Sequence, residues 1–458
     1  MSNLRARLPV TALKAIVQLV VAPAVVGAAT GTLVSVLRNI TEVRVLDFFA
    51  SVSNYWVALL PLAGLLLTLA TMTWIARSRS PSTTELYIDA FHSENDGLTA
   101  GRRPRFPLAQ VPGRYLAGMT TVGFGGSQGL ESPSTMLGAG IGTLVERIVP
   151  GTYRNSTSGP SLIDRLGGNG SLLIAGAAAG IAAIFSSPGV GMLFAVESPY
   201  RRDMSTRALI PAAVAAGFSY VTYVAVGGDT PLVDVSGNVT LDWTIVAAVA
   251  CVAVACGIGA RLFAAGATTA HALAHSVSKS IGTWQRITIA GALLVLLAAL
   301  GFWVSGAWIT FGPGEIALDW ALTSERSLWL LVAVAVIHSA GTLTTVFGSG
   351  GGGVFVSMAS AGALLGQFAA VAIGRPGAVV LPLIGAACFL GAGYRIPLAG
   401  VMLVADAYGH AGVIVLAIAA VVVSQAFMGN TSSNPAQRRD RFDTCAPPGH
   451  SNSAAAGS

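Results

Sequence analysis

The sequence predicts an all-α integral membrane protein, and three observations carry that expectation. Charge is too sparse to cover a water-facing surface. Apolar segments long enough to cross a bilayer recur along the chain. Ordered Gly/Pro/acid patterns of the first half return in the second.

The 458 residues are 53% hydrophobic and only 10% charged. Soluble domains carry about 25% charged residues. Lipid must therefore be the main solvent of this chain. The 55 glycines point to close helix packing and to helices that break inside the protein. Cys251, Cys256 and Cys388 lie in apolar stretches and Cys445 in the polar tail, with no CxxC pair or His/Cys cluster. This pattern argues against disulfides, structural zinc and any other metal cofactor. The formal charge is +6, without a basic block dense enough for nucleic acid.

In chain order, the clear spanning segments are Thr11–Leu37, Val52–Ile75, Ala208–Val226, Ile245–Ile258, Ile287–Val304, Leu328–Phe347 and Val413–Met428. Thr11–Leu37 is too long for a signal peptide, whose apolar core is roughly 7–15 residues. Tyr115–Val145, Leu166–Val196, Gly352–Ile373 and Gly377–Ala405 are long but interrupted by Gly and Pro. They predict half-helices, which membranes tolerate only where the freed backbone is buried or lines a cavity. Arg5/Arg7/Lys14, Arg77/Arg79, Arg102/Arg103/Arg105, Arg201/Arg202/Arg207 and Arg438/Arg439/Arg441 mark cytoplasmic ends and loops. Both termini are then cytoplasmic in an inner (plasma) membrane. The expected organisation is a short N-terminus (1–10), two membrane halves (11–227 and 228–430) and a polar, partly disordered tail (431–458). Trp56, Trp243, Trp303 and Trp308 read as interface anchors, and His338 as a satisfied core histidine.

The repeat relates Pro188, Gly191 and Glu197 to Pro397, Gly400 and Asp406 at identical spacing. Gly129, Gly138 and Gly142 relate in the same way to Gly353, Gly362 and Gly366. The longer Gly151–Gly170 loop absorbs the difference between the two offsets. Such repeats, with inverted topology, build transporters whose substrate sits at the repeat interface near midplane.

Glu131 is the only charge between Arg114 and Glu146. An unpaired carboxylate there costs on the order of several kcal/mol, so it is a functional candidate by default. Glycines precede it, and Pro133 suits a first helical turn. A helix starting at Glu131 would aim its N–H groups and dipole at an anion. The carboxylate can compete with that anion, swing away or take a proton; equally, it can simply cap the helix. A second glycine run, Gly348–Gly353, precedes another helix start in the charge-free stretch between Arg326 and Arg375. A phosphate loop fails there because no Gly-Lys-Ser/Thr follows. Glu197 and Asp406 end apolar segments beside polar loops, where acids are usually just solvated.

These residues together resemble the CLC family of chloride channels and chloride/proton antiporters, in a compact prokaryotic form with a divergent filter. Gly129-Leu130-Glu131-Ser132-Pro133 is similar to its G-x-E-x-P motif. Ala175–Ser198 is close to its next two helices. Gly352–Ser357 is similar to G-x-F-x-P, with Ser357 where proline is usual. The likeness runs from about Leu60 to Gly429. It implies about eighteen tilted or broken helices in two inverted repeats, a homodimer and one anion pore per subunit. Glu131 would gate. Gly129, Leu130, Ser132, Val354 and Phe355 would surround the anion, together with Ser80, Pro81 and Ser82, where a family filter serine is replaced by Pro81. The pore tyrosine is missing near Thr431–Asn434, leaving Ser433 and Asn434 as inner-gate candidates. Glu197 followed by Ser198 stands where coupled members carry a second, internal glutamate after an acid. The function implied is transport of chloride or a similar small anion, coupled to protons or, alternatively, as a passive channel. No nucleophile–base pair supports an enzyme.

Overall fold

The computed structural model describes residues 13, 15–52, 54–78, 84–95, 106–149, 170–227, 241–323 and 326–443. Sixteen helices and no strand appear among the described residues. The first half holds α1 (Val17–Ser51), α2 (Leu60–Trp74), α3 (Thr84–Asn95), α4 (Val111–Gly123), α5 (Glu131–Ile148), α6 (Ser171–Phe185), α7 (Pro188–Glu197) and α8 (Leu209–Gly227). The second holds α9 (Trp243–Ile281), α10 (Thr283–Ser305), α11 (Glu315–Leu322), α12 (Leu328–Phe347), α13 (Phe355–Ala372), α14 (Val380–Gly393), α15 (Pro397–Tyr408) and α16 (Ala411–Met428). Among the described residues, eight helical stretches are long and apolar enough to cross a membrane. α6, α7, α14 and α15 are apolar but shorter. Apolar side chains such as Val221, Leu262, Val415 and Val422 face outward, as lipid contact requires.

Local chemistry sets the helix ends. Pro188 and Pro397 open their helices, where the missing N–H costs nothing. Asp242 caps α9 by accepting from Ile245 N at 2.9 Å. Gly409, at φ +67°, closes α15 in the left-handed region.

The two halves repeat in geometry as well as in sequence. α5 crosses α6 so closely that a Cβ on Gly138 would sit 2.0 Å from the Gly176 carbonyl oxygen. α13 crosses α14 in the same way, with a Cβ on Gly362 2.2 Å from Gly385 O. Gly142 meets Leu172 O as Gly366 meets Leu381 O. Left-handed residues recur at matched places. Gly125 (φ +79°) pairs with Ser349 (φ +60°), and Ser186 (φ +49°) with Arg395 (φ +58°).

Four expectations change. α1 runs to Ser51, past the expected end at Leu37. Its charges do not stop it because Arg38 pairs with Glu42 one turn on, at 2.7 Å. α9 has 39 residues, about 58 Å at 1.5 Å per residue, far beyond the expected Ile245–Ile258. Gly352–Ile373 is a single helix from Phe355 onward, since its glycines precede the helix or pack inside it. Trp308 is not an interface anchor: it is 1% exposed, stacked between Phe302 and Phe311, and donates to Val52 O at 2.9 Å. Trp56, Trp243 and Trp303 are exposed as expected. His338 is buried, with Nδ1 3.0 Å from Ile309 O.

Residues 430–443 pack back on the membrane body. Arg201 N donates to Arg438 O at 2.8 Å and Arg202 N to Arg439 O at 3.0 Å. Two basic clusters of the sequence thus lie side by side on one face.

Candidate functional site

Two broken regions meet at the centre. Between α4 and α5, the chain turns through Gly125 and Gly126, whose amides close back on Val122 O and Thr121 O. Between α12 and α13, Ser349 and Gly350 close back on Val346 O and Thr345 O. The loops then bind each other. Gly129 N donates to Gly353 O at 3.0 Å, and Gly353 N donates to Gly129 O at 2.8 Å. Gly351 N donates to Thr121 Oγ1, Gly352 N to Gln128 Oε1 and Ser127 N to Thr345 Oγ1. These freed backbone groups are therefore satisfied inside the protein, as a membrane interior demands.

From this platform α5 and α13 start with their N-termini converging. Glu131 opens α5 and is 0% exposed. Its Oε1 accepts from Val356 N, in the first turn of α13, at 3.0 Å. Its Oε2 has no hydrogen-bond partner among the described residues. The carboxylate of one half thus occupies an N–H site of the other. A helix N-terminus suits a negative charge through both its free N–H groups and its dipole.

The remaining expected residues fall around this point. Leu130 and Ser132 are buried beside Glu131, and Thr84 Oγ1 donates to Ser132 Oγ at 2.7 Å. Val354 caps α13 and Phe355 begins it. Ser80, Pro81 and Ser82 lie outside the described residues. Ser433 N donates to Gly393 O at 2.9 Å, which sets Ser433 and Asn434 beside the α14–α15 turn. Asn434 is buried, and its Oδ1 accepts from Ala436 N. Ser198 is buried and hydrogen-bonds through Oγ to the Tyr87 hydroxyl. Glu197 is not solvated at a boundary. It is 4% exposed and accepts from Leu398 N at 3.1 Å and Ala399 N at 2.9 Å.

Sequence reasoning missed three contributors. Tyr394, in the α14–α15 turn, sets its ring edge-on to Phe355 with centroids 3.8 Å apart. Tyr87 and Thr84 come from α3, an amphipathic segment with no motif to mark it. A partly buried charge cluster forms the other flank. Arg38 binds Glu42, Glu315 at 3.5 Å and the Tyr223 hydroxyl, and Glu42 and Glu315 lie within electrostatic reach of Glu131. Only Arg38–Glu42, at i,i+4, is visible in sequence. Among the described residues no group of His, Cys, Asp or Glu could hold a metal ion.

This architecture has relatives among solved structures. A slow cyanobacterial Cl−/H+ antiporter matches with TM-score 0.74 and 17% identity, over 91% of this chain and 96% of that one. A CLC-type fluoride/proton antiporter matches with TM-score 0.68 and 20% identity, over 94% and 98%. A eukaryotic CLC transporter matches with TM-score 0.66 and 16% identity, over 93% and 74%. At these identities the likeness is one of fold. The family model for the voltage gated chloride channel matches residues 63–429, which include both broken regions and both convergent helix starts. A match over that length, on this fold, makes the chain a member of the voltage gated chloride channel family.

Proposed function

We propose that the chain carries chloride or a similar small anion across the plasma membrane, as a homodimer with one pore per subunit. Glu131 is its protonatable gate. The observation that carries this reading is the hydrogen bond from Val356 N to Glu131 Oε1. The carboxylate sits where an anion would bind the α13 N-terminus, so the two compete for one set of N–H groups. An arriving anion displaces the side chain, or a proton neutralises it and weakens its hold. Gly129, Leu130, Ser132, Val354 and Phe355 form the surrounding wall. Ser80, Pro81 and Ser82 remain filter candidates, and Ser433 and Asn434 inner-gate candidates. Both termini are assigned to the cytoplasm from the basic clusters.

Proton-coupled exchange is the first form of this function, with Glu131 carrying the proton. A passive channel is the second, favoured by one observation. Glu197 is committed to the α15 amides and Ser198 to Tyr87, so no free carboxylate stands at those two positions to hand on protons. Anion efflux from liposomes, with external pH followed at the same time, tests both. Uphill proton movement driven by chloride supports exchange. Chloride flux with no proton movement supports the channel. Absence of any anion flux overturns the proposal.

A further inference from the structure

A cavity of about 420 Å³ opens between the end of α2, the start of α10 and Ser349. Thr73, Arg77, Ser78, Thr283, Arg286 and Ser349 make its polar wall, and no described carboxylate lines it. Neither arginine has an acidic partner among the described residues. Yet Arg286 is only 3% exposed. A guanidinium keeps its proton, so a buried one calls for a counter-anion. Arg286 finds neutral acceptors instead. Nε donates to Ser278 Oγ at 2.7 Å, Nη2 to Ser349 Oγ at 2.8 Å and Nη1 to the Phe347 carbonyl. These bonds aim the group and leave its charge uncompensated.

The depth of the cavity narrows the choice of anion. Trp74 closes α2 and is 77% exposed; Trp284 opens α10 and is 56% exposed. Outward tryptophans at the ends of two neighbouring spans mark the level of lipid headgroups. Ile75 and Ile281 carry the apolar surface outward beside them. We propose that the cavity holds the phosphate of an anionic phospholipid, with Arg286 and Arg77 as its cationic partners and the acyl chains along this apolar rim. Occupancy would also bear on the pore, because Arg286 holds the Phe347–Ser349 turn that leads to Val354 and Val356.

The test is lipid retention by the full chain. Protein purified in mild detergent from phosphatidylglycerol-containing membranes is examined by native mass spectrometry, for wild type, Arg77→Gln and Thr283→Asp. Both substitutions are at exposed positions, so folding is not at stake. Wild type retains phosphatidylglycerol, and each variant retains about tenfold less, as loss of a charge-assisted contact requires. Anion flux in phosphatidylcholine liposomes rises on adding phosphatidylglycerol for wild type and less for the variants. Equal retention by all three proteins overturns the proposal. So does displacement of the lipid signal by millimolar glycerol phosphate with flux restored in pure phosphatidylcholine, which would assign the cavity to a free phosphate ester.

Discussion

Glu197 and Asp406 cap each other's helices. Glu197, at the end of α7, accepts from Leu398 N and Ala399 N in the first turn of α15. Asp406, near the end of α15, accepts from Gly189 N at 3.0 Å in the first turn of α7 and from the Ser187 hydroxyl. A repeat in sequence has become an exchange of carboxylates between two short helices that could not stand alone. Loss of a cap costs about 0.5–2 kcal/mol. Glu197→Ala should fall at the upper end, because the Ala399 amide is left buried, and Asp406→Ala nearer the lower end. Apparent melting temperature in detergent reads this. An unchanged value for Glu197→Ala would remove its structural role.

Glu131→Gln should separate gating from permeation. With Glu131 as the proposed gate, acid would add a proton to it and remove the charge that competes for Val356 N, so wild-type anion flux should rise as pH falls. The amide cannot titrate there and holds the N–H less strongly. Flux at neutral pH should rise about tenfold, for a charge-assisted bond of roughly 1.5–3 kcal/mol that is only partly replaced. The pH dependence and any proton coupling should vanish. Retained uphill proton transport in Glu131→Gln would sink the gate assignment.

Ser357 stands where the first half has Pro133. Its hydroxyl is buried without a hydrogen-bond partner among the described residues. A stranded hydroxyl costs about 1–3 kcal/mol, and proline is tolerated in a first helical turn. Ser357→Pro should therefore stabilise by about 1 kcal/mol. A lower melting temperature would mean that the N–H at 357 is needed.

The crossings of α5 with α6 and α13 with α14 leave no room for a methyl group. Gly138→Ala and Gly362→Ala should each destabilise by about 1–3 kcal/mol through overpacking. Gly217→Ala is the control, because nothing lies within 4 Å of its added Cβ. Yield of monodisperse protein on size exclusion should fall for the first two and hold for the third.

Asp203 ties the C-terminal segment down through Arg441, at 2.5 and 2.6 Å. The Arg441 hydrogen bond is the main cause that holds its carboxyl down at about 2. A depressed value stabilises above the ordinary carboxylate range and is lost as pH falls through about 2. Arg441 is about half exposed, so the pair is screened and its worth is below about 1 kcal/mol. Asp203→Asn should speed proteolysis near Arg441 at neutral pH, and equal rates would remove the tether.

The central site was legible where chemistry is local. Glu131 is an isolated charge beside glycines and proline, and the helix starts there. The glycine correspondences predicted two equivalent breaks, and both exist. What stayed hidden was brought in by packing between distant segments. No motif marks Tyr394, which the fold sets edge-on to Phe355. Glu315 has no sequence relation to Arg38. Glu197 looked like a boundary acid because its partners lie in the other half. The extent of α1 was obscured by charges that pair with one another, and that of α9 by polar residues on a helix that continues beyond its apolar stretch.

The double hydrogen bond between Gly129 and Gly353 constrains how this protein can move. Transporters built from inverted repeats commonly rock one half against the other. Here that motion would part four backbone groups deep inside the protein, at several kcal/mol for each one left bare. A cycle that repaid such a cost at every turnover would be slow. The seam acts as a weld between the halves. Under the proposed gate, the moving part would be as small as one carboxylate, and access would change by the swing of a side chain inside a stationary frame.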